Sequence, residues 1–78
     1  MARLRLFGKI AELAGVARDE IPGRSVEEVF DAAGARYGAA FIEGSRTCRV
    51  WVNGRDPEPG MFLNDDDEVA LLPPVSGG

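Results

Sequence analysis

The side chains that most often perform catalysis or bind metals are scarce in this sequence. It contains no histidine and a single cysteine, Cys48, so it has no histidine base, no nitrogen ligand for zinc and no internal disulfide. Cys48 is interpreted as a small apolar residue that faces inward from a strand. The acidic run Asp65–Asp67 lacks the spaced ligands of a calcium loop, and we expect a solvated turn there. No metal and no stably bound cofactor is expected.

The C-terminal segment suggests chemistry of another kind. Residues Pro73 and Pro74 cannot easily join a strand or pack against the domain. Gly77 and Gly78 have no Cβ atoms, so this end can pass through a channel too narrow for other residues. Fully extended, the last six residues would span about 20 Å. We therefore predict a domain at residues 1–72 that carries a flexible tail at residues 73–78. The alternative is an inert, frayed end.

Composition and charge narrow the possible functions. With 78 residues, 45% of them hydrophobic and 28% charged, the chain is predicted to form one packed domain. Its net charge of -4 and pI of about 4.6 give no electrostatic basis for binding nucleic acid. No apolar run approaches the roughly 18 residues that a membrane span needs, and we expect a cytoplasmic protein. Because so short a chain without histidine has little from which to build an active site, its chemistry is expected to be shared with a partner.

Hydrophobic periodicity predicts an α+β domain. Segments with alternating or short apolar patterns are predicted strands: Arg3–Leu6, a weak Val16–Ile21, Cys48–Val52 and Glu68–Leu72. A capping box, in which Ser25 accepts a backbone N–H and Glu28 reaches back, predicts the main helix, which ends near Gly38. The run Lys9–Ala14 is predicted to form one or two helical turns, and Asn53-Gly54 a hairpin turn. Together these elements indicate one helix packed across one face of a mixed sheet.

Two segments resemble the MoaD/ThiS family of sulfur carriers. One is the opening run Leu4–Gly15, and the other is the closing run Asp67–Gly78, in which an Asp-Glu-Val sequence leads through two prolines to a diglycine. Within that family, the chain is most similar to the small subunit of molybdopterin synthase, where a phenylalanine also ends the first strand. The resemblance covers essentially the whole chain, with a looser match at residues 39–47.

The resemblance implies a fold and a reaction cycle. The fold is a ubiquitin-like β-grasp, with a mixed sheet of four to five strands and one main helix packed on one face. In the cycle, an E1-like adenylating enzyme uses ATP to activate the carboxylate of Gly78, and sulfur from a donor protein displaces AMP. The thiocarboxylate so formed enters the large subunit of molybdopterin synthase, with Val75, Ser76 and Gly77 leading up to it. The chain itself is then a carrier and not an enzyme.

Three other functions remain open at this point. A carrier for thiamine, cysteine or another sulfur-containing metabolite would use the same terminal reaction with a different partner, although the proline pair favours molybdopterin synthesis. A protein modifier would join Gly78 to lysine side chains through isopeptide bonds. A plain interaction module would have an inert tail.

An apolar patch is predicted beside the tail. Phe7 and Leu72 are out of phase with the inward-facing residues of their strands, and Trp51 shares the Arg49 face of its own strand. Because the last strand of a β-grasp sheet lies between the first and the third, these three side chains should meet on the face without helices. With Pro73–Pro74 they are the candidate docking residues for partner proteins. The alternative is that they cap the core or cover a loop.

Overall fold

Seven elements of secondary structure lie within residues 1–74, the part of the chain that the computed structural model describes. Four of them are strands: β1 (Ala2–Leu6), β2 (Arg18–Ile21), β3 (Arg49–Val52) and β4 (Glu68–Leu72). Three are helices: α1 (Lys9–Ala14), α2 (Val26–Tyr37) and α3 (Ala39–Ser45). None of these helices is long and apolar enough to cross a membrane.

The four strands form one sheet in the order β2-β1-β4-β3. The central pair, β1 and β4, is parallel, and the two outer pairs are antiparallel. The predicted α+β domain with a mixed sheet is therefore confirmed, and the last strand lies between the first and the third. Two strands begin slightly later than predicted, β2 at Arg18 and β3 at Arg49.

The helices cover one face of the sheet, and the core lies between them and the strands. Alternate strand residues such as Leu4, Val69 and Leu71 belong to this core. Val29 of α2 and Phe41 of α3 pack against them, and each is no more than 1% exposed. Burying one such side chain stabilises the fold by about 1.5–3 kcal/mol, so this core is the main source of stability in so short a chain.

The start of α2 follows the predicted cap. The Ser25 hydroxyl oxygen accepts the backbone N–H of Glu28 at 3.1 Å, which satisfies one of the unpaired amides of the first turn. The Glu28 carboxylate also reaches back, but it accepts the N–H of Arg24 at 2.9 Å, one residue before the cap. At the other end, Gly38 has a φ of 97°, which glycine adopts without a steric penalty.

The sequence patterns do not predict α3, which begins directly after Gly38. Two glycines allow it to pack closely. A Cβ atom at Gly34 of α2 would lie 2.8 Å from Cγ1 of Ile42, and one at Gly44 would lie 2.7 Å from Cδ1 of Leu13 in α1. Gly34 weakens α2 by itself, but it provides the space into which α3 fits.

The chain reverses after β3 at the predicted hairpin turn. Asn53–Gly54 has φ values of 53° and 81°, and two successive positive values are what a type I′ turn requires. Val52 and Arg55 exchange two backbone hydrogen bonds, of 2.7 and 3.1 Å. No further strand forms between this turn and β4, so the sheet has four strands and not five. Pro57 and Pro59 lack the backbone N–H groups that strand pairing needs.

Candidate functional site

The predicted tail follows β4, one of the two central strands of the sheet. β4 is hydrogen-bonded to β1 on one side and to β3 on the other, and Pro73 and Pro74, both exposed, come directly after it. The remaining tail candidates lie outside the described residues: Val75, Ser76, Gly77 and Gly78. Their roles stay predictions, whereas the point at which the tail leaves the domain is defined.

Gly8 lies against the base of the tail. A Cβ atom at this position would lie 3.2 Å from Cγ of Pro73, and the φ of Gly8 is 62°, a value that favours glycine. The preceding residue, Phe7, donates a backbone hydrogen bond of 3.2 Å to the carbonyl of Leu71, so the ladder between β1 and β4 continues to the turn. The tail therefore leaves the domain beside Phe7.

Phe7, Leu72 and Trp51 lie on the face of the sheet that carries no helix. The register pairs Leu6 with Leu71 and Trp51 with Ala70, which sets Phe7 beside Leu72 and sets Leu72 diagonal to Trp51. All three side chains are partly exposed, and none belongs to the core or packs against it. Their use in docking stays a prediction.

Ala70 completes this surface. It is only 7% exposed, although it is not part of the core cluster. In register it lies between Arg5 and Trp51, whose longer side chains flank it. We call Phe7, Trp51, Ala70 and Leu72 the tail-side patch.

Arginines surround the tail-side patch. The guanidinium carbon of Arg5 lies 5.0 Å from the centre of the Phe7 ring, within the range of a cation–π interaction. Arg49 is paired with Leu72, and Arg18 is paired with Arg5 across the sheet. Local sequence patterns place Arg5 and Arg49 on this face, but Arg18 joins them only through the register between β1 and β2. Near the tail, the open face is thus apolar at its centre and has arginines around the apolar residues.

A polar cluster connects β2 to the end of α2. The Asp19 carboxylate accepts a hydrogen bond from the Tyr37 hydroxyl and another, of 2.9 Å, from Arg36. The bond from Tyr37, followed by that from Arg36, lowers the pKa of Asp19, whereas burial and the neighbouring carboxylate raise the pKa of Tyr37 to about 12. Local sequence patterns do not predict this contact, because Tyr37 and Asp19 lie 18 residues apart. The cluster fastens α2 to the sheet.

Cys48 and Asp67, a residue of the acidic run, make hydrogen bonds that stabilise the local structure. The Cys48 thiol donates to the carbonyl of Gly44 at 3.6 Å, and burial raises the pKa of this thiol, so the reactive thiolate is scarce at neutral pH. The Asp67 carboxylate accepts hydrogen bonds from the Asn64 amide and the Asn53 side chain, at 2.8 and 3.0 Å. Within residues 1–74, no group of three or more histidine, cysteine or acidic side chains is arranged to hold a metal ion.

The family profile that matches this chain is ThiS, and the match runs from residue 4 to residue 78. The chain belongs to the ThiS family. Members of the ThiS family and their relatives are small, ubiquitin-like sulfur carriers and modifiers, which are not themselves enzymes. A comparison with curated proteins found no match.

Solved structures similar to this ThiS-family chain share its fold. SAMP1, the small archaeal modifier protein 1 of Haloferax volcanii, is 30% identical over 99% of this chain and 98% of its own, with a TM-score of 0.73. A candidate molybdopterin converting factor, subunit 1, from Pyrococcus furiosus is 27% identical over 95% and 97%, with a TM-score of 0.78. A chain of the Amycolatopsis orientalis BexX/CysO complex is 21% identical over 100% of both, with a TM-score of 0.80, and shows the fold alone. The predicted ubiquitin-like β-grasp is confirmed.

Proposed function

We propose that this chain is a sulfur carrier for molybdopterin synthesis whose terminal carboxylate, on Gly78, is the working group. An E1-like enzyme transfers AMP from ATP to this carboxylate, and pyrophosphate leaves. A sulfide equivalent from a donor protein then attacks the carbonyl carbon, and AMP leaves with the oxygen to which it was bound. The thiocarboxylate delivers its sulfur inside the large subunit of molybdopterin synthase. ATP serves the activating enzyme, and the carrier holds no cofactor of its own.

The observation that carries this proposal is the family match, because it extends through the diglycine to residue 78. The position of the tail supports it. Pro73 and Pro74 are exposed and come directly after β4, one of the two central strands. If the six tail residues were fully extended, they would reach about 20 Å. The likeness to the Pyrococcus furiosus candidate molybdopterin converting factor, at 27% identity, favours the molybdopterin pathway over other acceptors.

The tail-side patch gives the partners a surface to hold while the tail enters their active sites. Phe7 and Leu72 border the tail base, so a partner that covers them also receives the tail in a defined direction. A carrier of this kind supplies the reacting atom and its partner supplies the enclosing pocket, which is why the chain needs no catalytic side chains of its own.

Mass spectrometry tests the terminal reaction. The purified chain is weighed intact, which also verifies that Gly78 is its last residue, and is weighed again after incubation with an E1-like enzyme, ATP and a sulfide source. We expect the mass gain of one oxygen replaced by sulfur. A variant without Gly78 should keep the wild-type melting temperature and gain no sulfur. An unchanged mass in the wild type would contradict the proposal.

Charged substitutions test the docking role. Phe7→Asp and Leu72→Asp should slow thiocarboxylate formation with little effect on melting temperature, because both side chains lie outside the core. Phe62→Asp is the matched control, since Phe62 is 61% exposed and lies in the loop before β4, at the opposite end of this strand from the tail. A large drop in melting temperature for either patch variant would assign that residue to the core.

A second candidate function is protein modification through Gly78. The 30% identity to a small archaeal modifier protein of Haloferax volcanii favours it. Conjugates linked to lysine, found by mass spectrometry in the same incubation with added cell extract, would support the modifier. If the thiocarboxylate forms but gives no product with the large subunit of molybdopterin synthase, the chain is a sulfur carrier but does not serve molybdopterin synthesis.

A further inference from the structure

The charges on the open face of the sheet are divided into two zones. Across the sheet, the row through the tail-side patch consists of Arg18, Arg5, Ala70 and Trp51. The row nearer the tail holds Phe7, Leu72 and Arg49, and the next row away from it holds Glu20, Arg3 and Glu68. The two rows at the tail end therefore carry three cations and no carboxylate. We call Arg5, Arg18 and Arg49 the arginine frame.

The arginine frame is not neutralised by the domain itself. Within residues 1–74, none of its members forms an ion pair, whereas Arg36 and Arg46 do. Arg5 and Arg18 lie directly opposite each other, and like charges in this position destabilise a sheet. A local arrangement that weakens the isolated fold calls for a compensating interaction elsewhere.

The charge of the rest of the chain makes this zone distinctive. The protein has nine basic and thirteen acidic residues, so removing the three frame arginines leaves six basic residues against thirteen acidic ones. A long phosphate backbone would meet repulsion from most of this surface. A compact group of carboxylates placed against the frame would not, and the guanidinium fork binds a carboxylate through two parallel hydrogen bonds.

We propose that the arginine frame selects protein partners whose matching surface is an apolar centre edged by Asp and Glu side chains. The proposal rests on the proposed function, since the partner is the protein that receives the tail. The frame attracts such a surface before contact and sets its orientation, and the tail-side patch is buried once contact is made. Attraction of this kind raises association rates more than it slows dissociation, and it weakens as salt screens the charges.

Stopped-flow binding tests the proposal, with the E1-like activating enzyme of the sulfur-transfer assay as the probe. Arg18→Glu and Arg49→Glu should each lower the association rate constant about three- to tenfold at low salt. Arg55→Glu, the same charge change on an exposed residue at the far end of β3, should stay within about twofold of wild type. Raising the salt concentration should slow wild-type association and bring the frame variants closer to it.

Two controls separate the frame from the fold and from the function. Arg18→Gln should melt at or above the wild-type temperature, because it removes the repulsion with Arg5, and should still bind more slowly. If wild type is thiocarboxylated but Arg55→Glu slows binding as much as the frame variants, or wild-type association does not depend on salt, the frame proposal is overturned while the carrier function stands. Failure of wild type to be thiocarboxylated overturns both. Displacement of the enzyme by a DNA oligonucleotide would show that the arginine frame binds phosphate groups, which would also overturn the proposal.

Discussion

Phe41→Ala is the substitution that most directly tests the packing of α3, the helix that sequence patterns do not predict. Phe41 is 1% exposed, and its ring centre lies 5.0 Å from that of Tyr37. Removing a buried phenylalanine costs about 3–5 kcal/mol, because the lost burial is added to the cavity left behind. At a typical value of about 0.05–0.15 kcal/mol per residue, a domain of this length is expected to have a total stability of about 4–12 kcal/mol. Phe41→Ala should therefore remove a large share of the free energy of unfolding.

The assay is urea denaturation followed by far-ultraviolet circular dichroism, with the slope of the transition as a check that unfolding exposes the same surface in each variant. The matched control is Phe62→Ala, since Phe62 is 61% exposed and belongs neither to the core nor to the residues packed against it. Its ring faces Arg24, whose guanidinium carbon lies 5.7 Å from the ring centre. The control should lose less than about 1 kcal/mol.

The test compares the loss in free energy of unfolding for the same substitution, phenylalanine to alanine, at a buried and at an exposed position. If Phe41→Ala and Phe62→Ala lower the free energy of unfolding equally, or if Phe41→Ala costs less than about 1 kcal/mol, burial of Phe41 is not stabilising the domain as the cavity argument requires. The packing of α3 described above would then be wrong.

Three further predictions concern titrating groups. The only tyrosine, Tyr37, should titrate near the pKa of about 12 that burial and Asp19 impose. Because this pKa lies above the ordinary value near 10, the free energy of unfolding should fall as pH rises from about 10 to about 12. Tyrosinate absorbance should follow the titration, and circular dichroism should follow the loss of folded protein. The pKa of Asp19 is lowered by Tyr37 and then Arg36, so its stabilisation is complete above about pH 4 and lost as pH falls through the folded value; the acid-side drop in melting temperature should be smaller in Asp19→Asn than in wild type. The thiol of Cys48, whose pKa is raised by burial, should react with Ellman's reagent much more slowly in the folded chain than in urea, and equal rates would contradict its burial.

Local patterns predicted most of the fold because most elements carry their own signals. The period-two alternation of β1 and β3, the cap at Ser25 and the Asn53-Gly54 turn depend on neighbouring residues alone, and each is present in the structure. The segment of α3 has no side-chain cap and contains a glycine, so its helical state depends on contacts with α1 and α2. The contacts with α1, such as that between Gly44 and Leu13, join residues that are distant in sequence.

The candidate site likewise combines features that local sequence patterns predict with features that they do not. Which face Phe7, Leu72 and Trp51 occupy follows from strand phase and strand order, and both could be predicted. The position of Arg18 opposite Arg5 depends on the register of β2, and β2 has too weak a pattern to define that register. The bond between Asp19 and Tyr37 depends on how α2 crosses the sheet, which no short segment encodes.

The position of β4 in the middle of the sheet has a mechanical consequence. If a partner draws the tail into a channel, as proposed, the pull acts along this strand, which is held by β1 on one side and β3 on the other. Such a pull loads both sets of hydrogen bonds in shear, so that many must break together, whereas a strand at the margin could be peeled away one bond at a time. A force applied to the tail is therefore distributed over the hydrogen bonds on both sides of β4, and the domain can bear it without unfolding.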